Sequence, residues 1–156
     1  MADTKPVDLD YNLWVLLEQA TTLILNARDQ ELSEYGTTAM QAAVLFITNQ
    51  VGDETTPAEI SRWISRKPSS VTGILNRMVK AGLVQRTKDL PRGNWVRVRL
   101  TEKGQKAYKQ SLKRKPIHLI MSALSEEERR QLASLLEKLR TKALKVGGVR
   151  YKPPFP

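Results

Sequence analysis

Three features of this 156-residue sequence predict a mainly α fold carrying one small β-hairpin. Apolar residues recur at three- and four-residue spacing through most of the chain, which is the helical period. The spacing drops to two only between Leu83 and Leu100, where a pair of strands fits. Residues that start and stop helices punctuate the remainder at short intervals.

Leu9 to about Ser33 is expected to be a long amphipathic helix, with Leu13, Leu16, Leu17, Ala20, Leu23, Ile24 and Ala27 on one side, ended by Gly36. Thr38 opens a second helix, and Gln41 three residues later completes a capping box. Its apolar side is Ala43, Val44 and Ile47, and Val51-Gly52-Asp53 closes it. Thr56-Pro57-Ala58-Glu59 starts a third: a threonine cap, proline at the first helical position and a glutamate to reciprocate the cap. Ile60, Trp63 and Ile64 face inward. After the turn Ser65–Lys67, Pro68 begins a fourth helix running to about Ala81, with Val71, Ile74, Leu75 and Met78 as its stripe and Gly82 at its end. Two short helices joined by such a turn form a helix-turn-helix.

Leu83–Thr87 and Trp95–Leu100 then read as strands around the turn-rich tip Asp89-Leu90-Pro91-Arg92-Gly93-Asn94, making a wing. Val96, Val98 and Leu100 fall on one face of the second strand, and Trp95, Arg97 and Arg99 on the other. Thr101 caps a fifth helix despite Gly104, and Pro116 should break it. Ser125-Glu126-Glu127-Glu128 is another capping box, opening a last helix with Leu132, Leu135, Leu136, Leu139, Ala143 and Val146. It ends at Gly147-Gly148, and the proline-rich Tyr151–Pro156 cannot continue it. The expected organisation is an N-terminal dimerisation helix (1–36), a winged helix-turn-helix (37–104), and C-terminal dimerisation helices with a tail (105–156).

Charge is concentrated in the middle of this pattern. Between Thr56 and Lys115, sixteen Lys/Arg stand against three Asp/Glu, a net of +13 in a chain whose total is +10. The first 55 residues carry a net of −7. A localised basic surface on a helix-turn-helix points to nucleic acid. The absence of cysteine excludes disulfides, thiolate zinc and thiol redox sensing. His118 is the only histidine, so a catalytic base or a transition-metal site has little to rest on, and no enzyme activity, metal or cofactor is expected. No apolar run is long enough to span a bilayer, and the acidic start is unlike a signal peptide, so a cytoplasmic location is expected.

With its stripe turned inward, the fourth helix would show Ser69, Ser70, Thr72, Gly73, Asn76, Arg77 and Lys80 to a partner. Serine hydroxyls and free N–H groups at a helix start suit phosphate oxygens. Thr72, Asn76 and Arg77 can read base edges, asparagine on adenine and arginine on guanine. In the wing, Lys88, Arg92, Arg97 and Arg99 add charge, with Arg92 a candidate for insertion into a narrow minor groove. The leucines of the two terminal helices, Leu13 and Leu17 with Leu132, Leu135 and Leu139, exceed what a small wing core can cover. Pairing by two-fold symmetry would bury them and place two reading helices about 34 Å apart, one duplex turn.

The segments Pro68-Ser69-Ser70-Val71-Thr72-Gly73-Ile74-Leu75-Asn76-Arg77-Met78, Gly82-Leu83-Val84-Gln85-Arg86, Asp89, and Leu100-Thr101-Glu102-Lys103-Gly104 together resemble the winged helix-turn-helix of the multiple-antibiotic-resistance regulator (MarR) family. The resemblance implies a homodimer on double-stranded DNA, with recognition helices in successive major grooves and wings in the minor groove. It also implies a repressor on a pseudo-palindromic operator, released by a small apolar or aromatic effector. The family's Asp-Arg-Arg wing pattern is replaced here by Arg92-Gly93-Asn94. Trp14, Leu17, Phe46 and Tyr108 are candidates to line an effector pocket between the dimer arms and the wing domain. Two other readings remain at this stage: a non-specific architectural DNA-binding or protein-interaction module, and attachment to an acidic membrane surface. The second is disfavoured because no basic helix has a large exposed apolar face.

Overall fold

Residues 8–88 and 95–155 are described in the structure, a computed structural model. Helix α1 (Leu9–Ser33) starts where the Asp8 carboxylate accepts the Tyr11 N–H at 3.0 Å. Helix α2 (Ala39–Val51) carries the expected box: Thr38 Oγ1 accepts the Gln41 N–H and Gln41 Oε1 accepts the Thr38 N–H, both at 3.2 Å. The buried positions of α2 are Ala42, Val44, Leu45, Ile47 and Thr48. Ala43, expected inside, lies half-buried one step round the helix from Ala42.

Helix α3 (Pro57–Ile64) is capped by Thr56 Oγ1, which accepts the Glu59 N–H at 3.2 Å. Glu59 does not reciprocate. Its carboxylate instead accepts Trp63 Nε1–H at 3.0 Å and pairs with Arg62. Side-chain donors one turn ahead have taken the acceptor that the cap would use. Ser65 adopts a left-handed conformation (φ 51°), and Ser61 Oγ donates to the Arg66 carbonyl at 2.5 Å, which fixes the turn into helix α4 (Pro68–Lys80). Gly82 (φ +74°) then lets the Leu83 N–H reach back to the Met78 carbonyl at 2.9 Å.

Strands β1 (Val84–Thr87) and β2 (Arg97–Leu100) pair antiparallel, Val84 opposite Leu100 and Thr87 opposite Arg97. They are shorter than the alternating pattern predicts. Leu83 is diverted because its N–H closes α4 and its carbonyl accepts the Thr101 N–H at 3.1 Å. The Val98 N–H donates to the Thr55 carbonyl at 2.8 Å, so the fully buried residue just before Thr56 pins the far edge of β2.

Helix α5 (Glu102–Ser111) is capped by Thr101 Oγ1, which accepts the Gly104 N–H at 3.0 Å. Gly104 is required by crowding, since a Cβ there would sit 2.0 Å from the Leu83 carbonyl oxygen. The expected break at Pro116 falls upstream. Helix α6 (Lys115–Met121) contains Pro116 in its first turn, where the missing N–H costs nothing, and Arg114 in a left-handed conformation (φ 51°) makes the corner. Helix α7 (Glu126–Val146) carries the Ser125–Glu128 box at 2.7 and 3.1 Å.

The core joins α2, α3, α4 and the hairpin through Val44, Leu45, Ile60, Val71, Leu75, Met78 and Val98, all with no exposed surface, and α5 joins it through Ala107. At about 1.5–3 kcal/mol per buried side chain, this cluster holds α4 rigidly with its other face outward. Helix α1 packs on α6 and α2, whereas α7 makes only sparse contact with other elements. The tail after α7 folds back over the molecule: Pro153 is buried and Phe155 lies against Phe46 and Trp63.

Candidate nucleic-acid interface and effector cavity

The two faces of α4 divide cleanly. Val71, Ile74, Leu75 and Met78 are buried, and Ser69, Ser70, Thr72, Asn76, Arg77 and Lys80 are all exposed. Lys67 supplies no side-chain acceptor to the first turn; Pro68 has no N–H and the Ser70 N–H donates to the Lys67 carbonyl at 3.0 Å, so it is the Ser69 N–H that faces an outside anion. Thr72 Oγ1 donates to the Pro68 carbonyl at 3.0 Å, which leaves its methyl and lone pairs for a partner. Asn76 is less free than its type implies. Its Oδ1 accepts Arg86 Nη2–H from β1 at 2.5 Å, and since a guanidinium only donates, the Asn76 amide nitrogen is turned outward. With Oδ1 engaged in this way, the Asn76 side chain does not offer both the donor and the acceptor that the expected bidentate adenine contact uses. A Cβ on Gly73 would meet only Arg77 Nη1, at 3.8 Å, so nothing inside the chain demands glycine there.

In the wing, Lys88 is exposed at the end of β1 and Arg97 is half-buried on β2. Arg92 and the rest of the tip, residues 89–94, lie outside the described residues. Two cations grouped by sequence with the binding surface are engaged within the chain. Arg99 Nε lies 3.3 Å from Asp53, and Lys103 Nζ donates to the Ala81 carbonyl at 2.8 Å, where it caps the negative end of α4. Lys113 donates to the Tyr35 hydroxyl at 2.8 Å, a contact that pushes its ammonium above its ordinary pKa.

A second feature lies between α1, α2, α3, the α5–α6 corner and the tail: a cavity of about 530 Å³. Phe46, Trp63 and Phe155 form its aromatic side, Ile24, Leu25 and Met40 its aliphatic side, and Arg28 and Arg114 its charged edge. Arg28 is buried, pairs with Glu31 and donates to the Ser111 carbonyl. The Arg114 guanidinium carbon sits 5.7 Å from the centre of the Phe46 ring. Of the four residues expected to line such a pocket, only Phe46 does. Trp14 and Leu17 fall on the same face of α1 as Thr21, Ile24 and Arg28 but one to two turns nearer its start, beyond the cavity, 57 % and 37 % exposed, with Trp14 beside Tyr11. Tyr108 packs against the core on the inner side of α5. The missed residues are Arg28, Trp63, Arg114 and Phe155. Arg28 carried a signal, as one of only two basic residues in the first 55.

The predicted dimer residues Leu13, Leu135 and Leu139 are 50 %, 56 % and 54 % exposed, and Leu132 is half-buried. Among the described residues no group of His, Asp or Glu could hold a metal ion, and no helix is long and apolar enough to cross a membrane.

A family model described as "MarR family" matches residues 35–91. The ligand-free structure of the organohalide-sensing transcriptional regulator RdhR is 30% identical, superposes with a TM-score of 0.87, and is covered over 98% of its length by all of this chain. The chain belongs to the MarR family. Its members are transcriptional regulators and not enzymes. The same RdhR protein with 2,4-dichlorophenol bound superposes equally well, at 29% identity over 96% of its length and all of this chain. A Mycobacterium tuberculosis MarR-family protein in complex with salicylic acid is 25% identical, with a TM-score of 0.60 over 89% of this chain and 99% of its own. E. coli MarR, as a cysteine-to-serine mutant complexed with operator DNA, shares the fold at 23% identity and a TM-score of 0.78, over 86% of this chain and 99% of its own. No curated protein sequence matches the chain.

Proposed function

We propose that this MarR-family chain is a homodimeric, sequence-specific DNA-binding repressor that acts on a pseudo-palindromic operator. The observation that carries this reading is α4, whose buried face is wholly apolar while Ser69, Ser70, Thr72, Asn76, Arg77 and Lys80 are all presented outward within the +13 stretch. In this reading α4 enters the major groove, Lys88, Arg92 and Arg97 bring the wing to the backbone and minor groove, and the leucines of α1 and α7 hold the two copies together. Operator DNA bound to E. coli MarR supports the assignment by analogy of fold.

The cavity supports release by a small aromatic effector. Three aromatic rings with Arg28 and Arg114 at one edge suit a flat ring bearing an acidic group, and ring compounds of this kind occupy two of the similar proteins. The test is binding to the DNA upstream of the protein's own gene and to random DNA across a salt series. The expected preference for the former is about 10³-fold or more, with log K falling by about 0.9 per phosphate contacted. Equal affinity for both would replace this reading with a non-specific architectural one.

A further inference from the structure

We propose that the C-terminal segment, residues 149–155, is the closing wall of the effector cavity, with Phe155 as its aromatic surface; this rests on the effector reading above. The segment has no regular structure, yet it is anchored along its length. The Val149 N–H donates to the Leu144 carbonyl at 2.9 Å after the left-handed Gly148, which turns the chain off α7. Lys152 Nζ lies 3.4 Å from Glu137, and Pro153 is buried. Tyr151 shares the rim of a shallow hollow with Thr56, Pro68 and Trp95, near the start of α4. Phe155 completes the path, its ring centre 5.1 Å from Phe46 and 6.2 Å from Trp63, in a plane within 10° of the indole.

These positions distinguish a wall from a plug. A benzene-sized ligand fits a space of about 150 Å³, and the cavity keeps about 530 Å³ with Phe155 in place. A 6.2 Å separation of ring centres leaves no slot for a third ring between Phe155 and Trp63, because two stacking contacts of about 3.5 Å are needed. The ligand must lie beside the pair and cover more of Phe155, which is 53 % exposed. Removing that ring therefore takes contact away from the ligand and vacates no seat that it needs.

Titration calorimetry of the full chain with 2,4-dichlorophenol and with salicylic acid tests this. Phe155→Ala should raise Kd about tenfold for whichever compound the unmodified chain binds. Phe155→Trp should restore tight binding, and DNA affinity without ligand should be unchanged in both. Phe155→Leu, which keeps the apolar bulk, serves if the alanine variant melts at a lower temperature, and it should also weaken binding. Unchanged or tighter binding by these truncated side chains overturns the wall while leaving the effector reading intact. Binding of neither compound to the unmodified chain overturns both.

Discussion

Arg77 and Asn76 occupy adjacent places on one exposed helix face, yet the chain treats them differently. Arg77 has its guanidinium over Gly73, close to the helix surface, where it can approach a guanine edge. Replacing it with alanine should cost about 1–3 kcal/mol on the preferred site alone, measured against random DNA by fluorescence anisotropy. A uniform loss on both sequences would make it a phosphate contact. Asn76 is held by Arg86, a residue that need not touch a base itself. Arg86→Ala should relax the base preference at a single position of each half-site while leaving the salt slope nearly unchanged, as read by competition with single-base operator variants. If the slope falls by about one, Arg86 contacts a phosphate and does not act as a positioning residue. Gly104 tests the fold in place of the function. Gly104→Ala puts a methyl against the Leu83 carbonyl, so the midpoint of denaturant unfolding should fall by the equivalent of about 1–3 kcal/mol. Retained stability would mean that the α4–β1 turn can give way.

At the scale of elements, the helices were legible because their ends carry chemistry as well as period. Thr38 with Gln41, Ser125 with Glu128, Thr56 with Pro57, and Thr101 all cap where the residue types predict. Strand lengths were less legible, since Leu83 alternates correctly but spends its backbone groups on α4 and Thr101. The cavity was legible only in part. Phe46 is apolar in a helical stripe, but Arg28, Trp63, Arg114 and Phe155 come from four other places in the chain. No local pattern brings a tail phenylalanine against a residue of α3. The left-handed Arg114 illustrates the same limit. A non-glycine residue in that conformation costs about 1–2 kcal/mol, and here it places a guanidinium over Phe46 at the cavity edge. Arg114→Ala is expected to weaken salicylic acid more than a neutral ring of similar size, a difference that calorimetry at constant pH would measure. Equal losses would assign Arg114 to packing alone.

On the whole-molecule scale, the separation of charge and of apolar surface points the same way. The basic residues cluster on the helix-turn-helix and wing, and the exposed leucines cluster on α1 and α7, away from it. Helix α7 exposes Leu135, Leu136, Leu139 and Val146, and among the described residues it makes only sparse contact with other elements. In the proposed dimer a two-fold partner would cover these side chains and set two copies of α4 at a fixed spacing. The double variant Leu135→Lys, Leu139→Lys should convert the dimer to a monomer in light scattering at micromolar concentration and abolish tight operator binding together. Hydroxyl-radical footprinting on the DNA upstream of the gene tests the central claim most directly. The account predicts two protected patches, related by two-fold symmetry and centred about one helical turn (34 Å) apart, both lost with Arg77→Ala. A single patch, or uniform protection along the duplex, would contradict it.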